Sequence, residues 1–332
     1  MTRNFIRLIL ICAVTFSCIE VVKESESLKD EPFDWNSVIV TPHDYDYPKG
    51  PTFKLLSWNV EHFIDPYDDP YIDNDRENSP PDNMPLRRKL LIDALKEADA
   101  DIVVLQEFES AKYLKKLAQD SFPDMEYQFF ADIPSHNWYM NVVVMSRFPM
   151  GIIRGYGSAT TPLPEYVSDE GKKETQNHIN TRMWSIDVYP SEDYSFVLTG
   201  LHLKAGRGNR NIAMRKGQMN LLTAQFNRML AEDPNKNMIV AGDLNSTPTS
   251  EEIGLLVKNN GLKNGFIDPL DTTVYTHPSN KPGRRLDYIL VNENMDPEVK
   301  DIRVEYFFSP DTMRIISDHL PLTGVFRKSE VD

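Results

Sequence analysis

The segment MIVAGDLNSTPTS, residues 238–250, places a carboxylate and a carboxamide directly after a short apolar run. The run over residues 238–241 is typical of a buried strand, and Asp243 and Asn245 follow it two residues apart. Side chains at this spacing on an extended chain point the same way. Asp, Asn, Gly and Pro also favour turns, so the segment alone fits either a turn or a reactive site at a strand end.

Other apolar runs of the chain end in the same way. SWNV, VVLQEF, LTGLHLKAG, RRLDYILVN and IISDHL each combine a strand-like run with acids, amides or imidazoles. An unpaired carboxylate next to a buried strand is costly, so these groups need a shared explanation. Carboxylates cluster where they hold a cation, and imidazoles beside them contact anions. This combination indicates metal-assisted chemistry on a phosphate, carried by Asn59, Glu107, His202, Asp243, Asn245, Asp287, Asp318 and His319.

The elements that must position these groups alternate along the chain. Between the strand-like runs, LRRKLLIDALKEA and the region 219–229 carry apolar residues every three or four positions. This spacing predicts amphipathic helices that cover a sheet. No repeat or linker interrupts the sequence after residue 53, so we predict one α/β domain over residues 53–330.

Charge and composition limit the function classes. The chain has 332 residues, of which 40% are hydrophobic, and carries a formal net charge of -14. This composition supplies a sizeable core. Because affinity for nucleic acid comes largely from Lys and Arg on phosphates, the charge argues against a protein that coats DNA or RNA. A local basic cleft remains compatible with it.

The first residues resemble an export signal. MTRNFIRLILICAVTFSC has Arg3 and Arg7 before an apolar run that is too short to span a bilayer. Cys18 follows the run as in a bacterial lipoprotein signal, although Thr15 and Phe16 depart from that pattern, and an ordinary signal peptide is the alternative. We predict a signal peptide over 1–18, a tether over 19–52, and a lipid-anchored or otherwise secreted protein. Both cysteines of the chain lie in this signal, so the mature domain has no disulfide.

The motifs SWNV, LQE, HLKAG, GDLNSTP, RLDYILV and SDHLPL, in this order, resemble the endonuclease/exonuclease/phosphatase superfamily. The resemblance spans residues 53–327 and covers deoxyribonuclease I-like nucleases, exonuclease III-like enzymes, sphingomyelinases and inositol-polyphosphate phosphatases. It implies a four-layered α/β sandwich, in which two mixed β-sheets pack face to face with helices outside. It also implies phosphoester hydrolysis with Mg²⁺ or Mn²⁺.

The resemblance assigns a role to each motif residue. Glu107 would be the main metal ligand, with Asn59 and Asp318 close by, and oxygen ligands suit Mg²⁺. Asp243 would position or deprotonate the attacking water, and Asn245 would hold the phosphate or the Asp243 carboxylate. His319 would donate to a phosphate oxygen, and Asp287 would orient its imidazole. His202 would contact the phosphate from the other side.

Two loops and one basic segment leave alternatives open. Lys204, Arg207, Arg210 and Arg215 form either a basic lip over an anionic substrate or a solvated surface, and Arg182 either faces the phosphate or pairs with an acid. The loop 64–85 is rich in Asp, Pro and Asn, which indicates a solvated acidic loop or an additional Ca²⁺ site. The loop 157–181 has no interpretable pattern.

The sequence therefore predicts a monomeric, metal-dependent phosphodiesterase of the nuclease type. The alternatives are a phospholipid or sphingomyelin phosphodiesterase, an inositol-phosphate phosphatase, and a binding protein of the same fold without catalysis. The complete set of acids and histidines favours the enzyme.

Overall fold

The computed structural model describes residues 45–134, 138–157, 159–176, 182–257 and 265–330. The predicted signal peptide and residues 19–44 of the predicted tether lie outside these ranges. The rest of the tether packs on the domain. The Tyr45 ring lies 5.6 Å from the Phe129 ring, and Lys328 Nζ donates to the Pro48 carbonyl oxygen at 2.6 Å.

Strands and helices alternate irregularly along the chain. They are β1 (Thr52–Phe63), α1 (Asp75–Asn78), α2 (Met84–Ala98), β2 (Ile102–Phe108), α3 (Ala111–Ser121), β3 (Phe129–Asp132), β4 (Asn141–Ser146), β5 (Met150–Gly155), β6 (Thr161–Val167), β7 (Lys173–Gln176), β8 (Met183–Ser191), β9 (Tyr194–His202), α4 (Asn209–Glu232), β10 (Met238–Asp243), α5 (Glu251–Val257), β11 (Phe266–Ile267), β12 (Asp287–Asn292), β13 (Val299–Val304), α6 (Pro310–Ile316) and β14 (Leu322–Arg327). The two helices expected from periodicity are α2 and α4.

Two six-stranded sheets organise the described residues, with the orders β13-β14-β1-β2-β4-β3 and β11-β12-β10-β9-β8-β5. Both sheets are mixed, and each has a parallel pair at its centre: β1 with β2, and β9 with β10. The other neighbours within these sheets are antiparallel. Strands β6 and β7 form a separate two-stranded ribbon. Because parallel strands end at the same edge, each central pair delivers its carboxyl-terminal side chains to one place.

The core consists of three apolar layers. Between the sheets, Phe53 of β1 stacks on Phe196 of β9 with 5.0 Å between ring centroids, within a cluster that both sheets share. A second cluster lies between the first sheet and helices α2 and α3, and a third includes Met219, Leu222 and Phe226 of α4 against the second sheet. Strands buried on both faces explain the near-continuous apolar runs. The predicted four-layered sandwich is confirmed.

None of the helices in the described ranges combines the length and the apolar character that a membrane crossing requires.

Candidate active site

The parallel pair of the first sheet brings Asn59 and Glu107 together. Asn59 of β1 lies opposite Gln106 of β2, and Glu107 follows at a bulge where the register with β4 shifts. Glu107 has a φ of 57°, a left-handed conformation that residues other than glycine rarely adopt. Bulges re-aim side chains, and the Glu107 carboxylate accepts a hydrogen bond from Asn59 Nδ2 at 3.3 Å.

In the second sheet, Asp243 ends β10 opposite two other titratable groups. His202 lies opposite it on β9, and Asp287 lies opposite it on β12. Gly242 permits this pairing, because a Cβ at that position would lie 1.9 Å from the Leu201 carbonyl oxygen. The glycine of GDLN therefore serves the close approach of two strands.

The GDLN segment forms a turn that also fixes the Asp243 carboxylate. Asn245 has a φ of 50°, and its backbone N–H donates to Asp243 Oδ1 at 2.8 Å, which closes an Asx turn. The Asn245 amide donates to Asp243 Oδ2 at 3.2 Å and to the Leu203 carbonyl oxygen at 3.1 Å. Asn245 thus holds the Asp243 carboxylate, as one of its two expected roles requires.

One amide joins the two sheets. Asn59 Nδ2 donates to Asp243 Oδ2 at 3.0 Å as well as to Glu107. His202 Nε2 lies 3.7 Å from Glu107 Oε1 and 3.6 Å from Asp243 Oδ2. The strand ends predicted to converge therefore form one site.

The segment after α6 adds the SDH residues. Ser317 Oγ donates to the Asn59 carbonyl oxygen at 2.6 Å and accepts from the His319 N–H at 3.0 Å. These bonds place the His319 ring over the site, where its Nδ1 lies 2.8 Å from Asp287 Oδ2. His319 Nε2 faces Asp243 Oδ2 and Asp318 Oδ1, each at 3.8 Å.

Burial and charge set the protonation of the central groups. Burial raises the pKa of Asp243 to about 7, against the opposing effect of His319. Burial would lower the pKa of His319, but Asp287 and Asp243 outweigh it and raise the value to about 10. The His319 imidazolium therefore persists at neutral pH, while Asp243 titrates near neutrality.

Burial dominates at His202. It lowers the pKa of His202 to about 3, so this imidazole is neutral. Among the described residues no group bonds to its buried Nδ1. At Glu107 burial would raise the pKa, but neighbouring imidazoles and the Asn59 amide lower it overall, which keeps the carboxylate charged.

The donor set fits a hard divalent cation. Asp243, Asp287 and Asp318 face the His319 imidazolium, and Glu107 lies beside the neutral His202. Ligand atoms of Asp243, Asp287 and His319 lie within 4.8 Å of one another and could hold a metal ion, and carboxylate oxygens suit a hard cation. Asn59 turns its nitrogen to the carboxylates, and its Oδ1 accepts from the Glu61 N–H at 3.0 Å. Direct ligation by Asn59 would require a different orientation and stays a prediction.

Sequence reasoning missed His277. Its Nε2 lies 3.2 Å from Asp318 Oδ2, while Arg284 Nε donates to its Nδ1 at 3.2 Å. Because a guanidinium can only donate, Nδ1 is the acceptor and Nε2 carries the proton that bonds to Asp318. His277 therefore holds Asp318 in place. The signal was available in THPSN, ten residues before Asp287.

His62 was also missed. Its backbone N–H donates to Glu107 Oε2 at 3.0 Å, and its Nδ1 lies 2.6 Å from Tyr139 Oη. With a φ of 51°, His62 adopts the left-handed conformation, as Glu61 does. Strained residues concentrate at functional sites. SWNVEHF contains this histidine, but its position beside Glu107 depends on strand pairing.

The expected substrate contacts lie in different environments. Arg210 pairs with Glu174 at 2.8 Å, so the acid occupies the guanidinium. The Arg182 carbonyl oxygen accepts the His202 N–H at 2.9 Å, which places Arg182 next to the site, and burial lowers the pKa of its guanidinium. Lys204 is half-buried, and burial together with nearby guanidinium groups lowers its pKa. Within the described ranges, Arg182 and Lys204 form no ion pair with an acid, whereas the exposed Arg210 does, and a substrate contact of any of the three stays a prediction.

The acids of loop 64–85 serve local turns. Asp65 and Asp69 accept backbone N–H groups two residues ahead, and Glu77 accepts the Asp69 N–H at 2.6 Å. Within the described part of this loop, no three acids bring ligand atoms within 4.8 Å of one another. The loop matches the solvated alternative, and the additional Ca²⁺ site has no ligand cluster there.

Comparison with known proteins places this arrangement in a family. A family model described as the Endonuclease/Exonuclease/phosphatase family matches residues 56–319. No curated protein sequence matches the chain.

Three solved structures share its fold. An endonuclease/exonuclease/phosphatase from Bacteroides vulgatus has 16% identity over 84% of this chain and 100% of that chain, with a TM-score of 0.54. D. rerio TDP2, complexed with a single-strand DNA product, has 19% identity over 83% and 99% of the two chains, with a TM-score of 0.54. AP endonuclease LMAP from Leishmania major has 18% identity over 88% and 94%, with a TM-score of 0.58. At these identities the likeness concerns the fold.

Proposed function

The chain belongs to the endonuclease/exonuclease/phosphatase family and is a phosphoester hydrolase, and from this premise we propose that it is a divalent-metal-dependent phosphodiesterase of the nuclease type. One observation carries the proposal. Asp243, buried and titrating near neutrality, lies between a charged imidazole and a carboxamide at the meeting point of both sheets.

Asp243 is the general base that positions and deprotonates the attacking water. Asn59 and Asn245 hold one carboxylate oxygen, and the Asn245 N–H holds the other. A base must stay within hydrogen-bond reach of the proton that it accepts, and these contacts fix its position. A pKa of about 7 lets Asp243 accept that proton at neutral pH.

His319 is the donor to the phosphate. Asp287 binds Nδ1 at 2.8 Å, which directs Nε2 with its proton toward the site. A preorganised cation there stabilises the charge that develops on the phosphate oxygens in the transition state. His202, neutral and buried beside Glu107, offers a further contact without adding charge.

Glu107 and Asp318 are the residues that would hold the metal, with His277 and His62 fixing their carboxylates. Family members typically use divalent metals. When bound, such an ion acts as a Lewis acid on a phosphoryl oxygen. Mg²⁺ is preferred over softer ions because the donors are oxygens.

Two observations support a nuclease-type substrate over a lipid or an inositol phosphate. D. rerio TDP2 and the Leishmania major AP endonuclease, two of the similar structures, are named for a DNA product or an endonuclease. Lys204 and Arg182 also provide cations near the site of a chain whose net charge is -14. Cations are the groups that recognise a phosphate backbone.

A substrate panel tests the proposal. The purified protein is assayed with Mg²⁺, Mn²⁺ or Ca²⁺ against DNA, RNA, sphingomyelin and inositol phosphates, beside an Asp243→Asn control. We expect metal-dependent cleavage of a nucleic acid that the control loses. Full activity in EDTA would remove the metal from the mechanism. Binding without hydrolysis of any substrate would instead indicate a non-catalytic protein.

Export remains a separate prediction, because its residues lie outside the described ranges. If Cys18 is lipidated, Cys18→Ala releases the protein from the membrane fraction or blocks processing, and the catalytic domain still folds. Mass spectrometry of the mature N-terminus decides between the alternatives. An unmodified N-terminal residue other than Cys18 would rule out the lipoprotein.

A further inference from the structure

A cavity of about 510 Å³ adjoins the active site. Arg207, Arg215 and Arg284 are among the residues that line it. Asn245, which donates to Asp243 at 3.2 Å, forms part of its wall. The cavity therefore begins one side chain away from the proposed catalytic base.

The charges of this cavity do not cancel. Glu252 is its acidic residue, and it is already paired: Arg215 Nε and Nη2 donate to Glu252 Oε1 at 3.0 and 2.8 Å. Both partners are buried, at 5% and 4% exposure. Within the described ranges, Arg207 and Arg284 form ion pairs with no acid. Two uncompensated guanidinium groups thus line a cavity in a chain whose net charge is -14.

Arg284 connects the cavity with the catalytic groups. Its Nε donates to His277, which holds Asp318, and this contact leaves the two Nη groups for a ligand. Guanidinium groups bind phosphate oxygens through paired N–H donors. The hydroxyl groups of Thr247 and Ser250 also lie on the cavity wall. The lining therefore suits an anion with several oxygens.

Resting on the proposed function, we propose that this cavity binds a second phosphate of the substrate, adjacent along the chain to the phosphate that is hydrolysed. The volume accommodates a phosphate with an attached sugar. Substrates with repeated phosphates, such as a nucleic acid strand, occupy both sites at once. An ester with one phosphate occupies only the catalytic site.

Binding measurements test the cavity without turnover. Calorimetry compares thymidine 3′,5′-bisphosphate with thymidine 5′-monophosphate in the presence of Mg²⁺. Wild type binds the bisphosphate at least about tenfold more tightly, because a charge-assisted contact to phosphate is added. Arg207→Gln loses most of this difference. The control Lys281→Gln removes an exposed positive charge from the hairpin between His277 and Arg284, outside the cavity lining. We expect this control to keep the tighter binding of the bisphosphate.

Equal affinities for the two nucleotides in wild type, or an undiminished preference in Arg207→Gln, would overturn the proposal. Inositol 1,4-bisphosphate as a competitor distinguishes the source of the second phosphate. If inositol 1,4-bisphosphate competes as strongly as the nucleotide, the cavity recognises the second phosphate of any phosphosugar. If it competes more weakly, the cavity recognises a nucleotide.

Hydrolysis separates this proposal from the proposed function. Cleavage of the dinucleotide TpT is compared with cleavage of pTpTp, which carries an extra phosphate on each side of the scissile link. We expect a higher kcat/KM for pTpTp in wild type and in Lys281→Gln, but not in Arg207→Gln. If the bisphosphate binds more tightly and neither dinucleotide is cleaved, the cavity stands and the nuclease function fails.

Discussion

Buried acidic residues cluster at both ends of strand β10. Beyond its carboxyl end, Asp243 lies 3.8 Å from His319, and Asp287 binds the same ring at 2.8 Å. Before its amino end, Asn237 donates to both oxygens of Glu298 at 3.2 and 3.1 Å. Burial is the first cause of the raised pKa in each case, and the value is about 7 for both Asp243 and Glu298.

The two clusters differ in what compensates the carboxylate. At the catalytic end a cation, the His319 imidazolium, faces two acids. At the other end the partners of Glu298 are neutral donors and a second acid: Tyr194 Oη donates to Glu298 at 2.5 Å, Asn237 donates to both Glu298 and Glu330, and Glu330 adds to the raised pKa of Glu298. The first arrangement supplies a base beside an acid. The second keeps a proton on a buried carboxyl group up to about pH 7.

The largest expected effect is at the catalytic end. Asp243→Asn removes the proposed base while preserving the shape of the side chain, so activity should fall by at least about 10³-fold. The Tm should fall moderately, because the new amide nitrogen cannot accept the hydrogen bonds that Asn59 and Asn245 donate to the carboxylate. Steady-state kinetics and thermal unfolding of the same preparation measure both. Retained activity would show that the water is activated elsewhere.

The pair Asp287 and His319 should lose activity as one unit. His319→Ala should lower kcat/KM by about 10²–10³-fold, and adding Asp287→Asn should cost little more. In Asp287→Asn alone, the main partner that raises the pKa of His319 is lost. The imidazolium then deprotonates earlier, and the alkaline limb of the pH–rate profile moves to lower pH. Additive losses with an unchanged profile would separate the two residues.

The metal side is tested at Glu107. Glu107→Gln should lower activity by at least about 10²-fold, a loss of about 3 kcal/mol or more of transition-state stabilisation. Calorimetric titration should show weaker Mg²⁺ binding, while the Tm of the metal-free protein stays nearly unchanged. An unaltered Mg²⁺ affinity would show that Glu107 is not a metal ligand.

The smallest effect belongs to the amino end of β10. The folded state keeps a proton on Glu298 up to about pH 7. The protonated Glu298 therefore stabilises the folded state fully below the unfolded pKa, near 4.5, and this stabilisation is lost as the pH rises through 7. Glu298→Gln should remove about 1–2 kcal/mol of this pH dependence, without affecting catalysis. Urea unfolding at pH 5 and pH 8 measures it, and equal pH dependence in both proteins would contradict it.

Much of the architecture could be predicted from the sequence. Apolar runs ending in polar groups indicated strands that deliver side chains to one edge, and the helical spacing located α2 and α4. The ordered motifs indicated the family, which the match over residues 56–319 confirms. The roles of the individual site residues stay predictions, although the structure brings Asn59, Glu107, His202, Asp243, Asn245, Asp287, Asp318 and His319 together.

Other features could not be read from the sequence, because they depend on partners. Arg210 was predicted as a substrate contact, and the structure pairs it with Glu174, 36 positions away, which the sequence could not show. Arg284 looked like part of a strand motif, yet it fixes the protonated nitrogen of His277. Asn59 was predicted as a metal ligand; the structure shows its nitrogen donating to two carboxylates, and the metal contact stays a prediction. In each case the residue type was visible and its partner was not.

The sequence by itself determined which chemical groups the strands carry and in what order, since apolar periodicity places strands and strand ends place side chains. Only the tertiary structure decided the charge state and task of each group. Asp243 and Glu298 are both carboxylic acids at the ends of buried segments, and their surroundings separate a proposed base from a stabilising proton. The physical reason is that pKa values and hydrogen-bond partners depend on distance and burial between residues far apart in the chain.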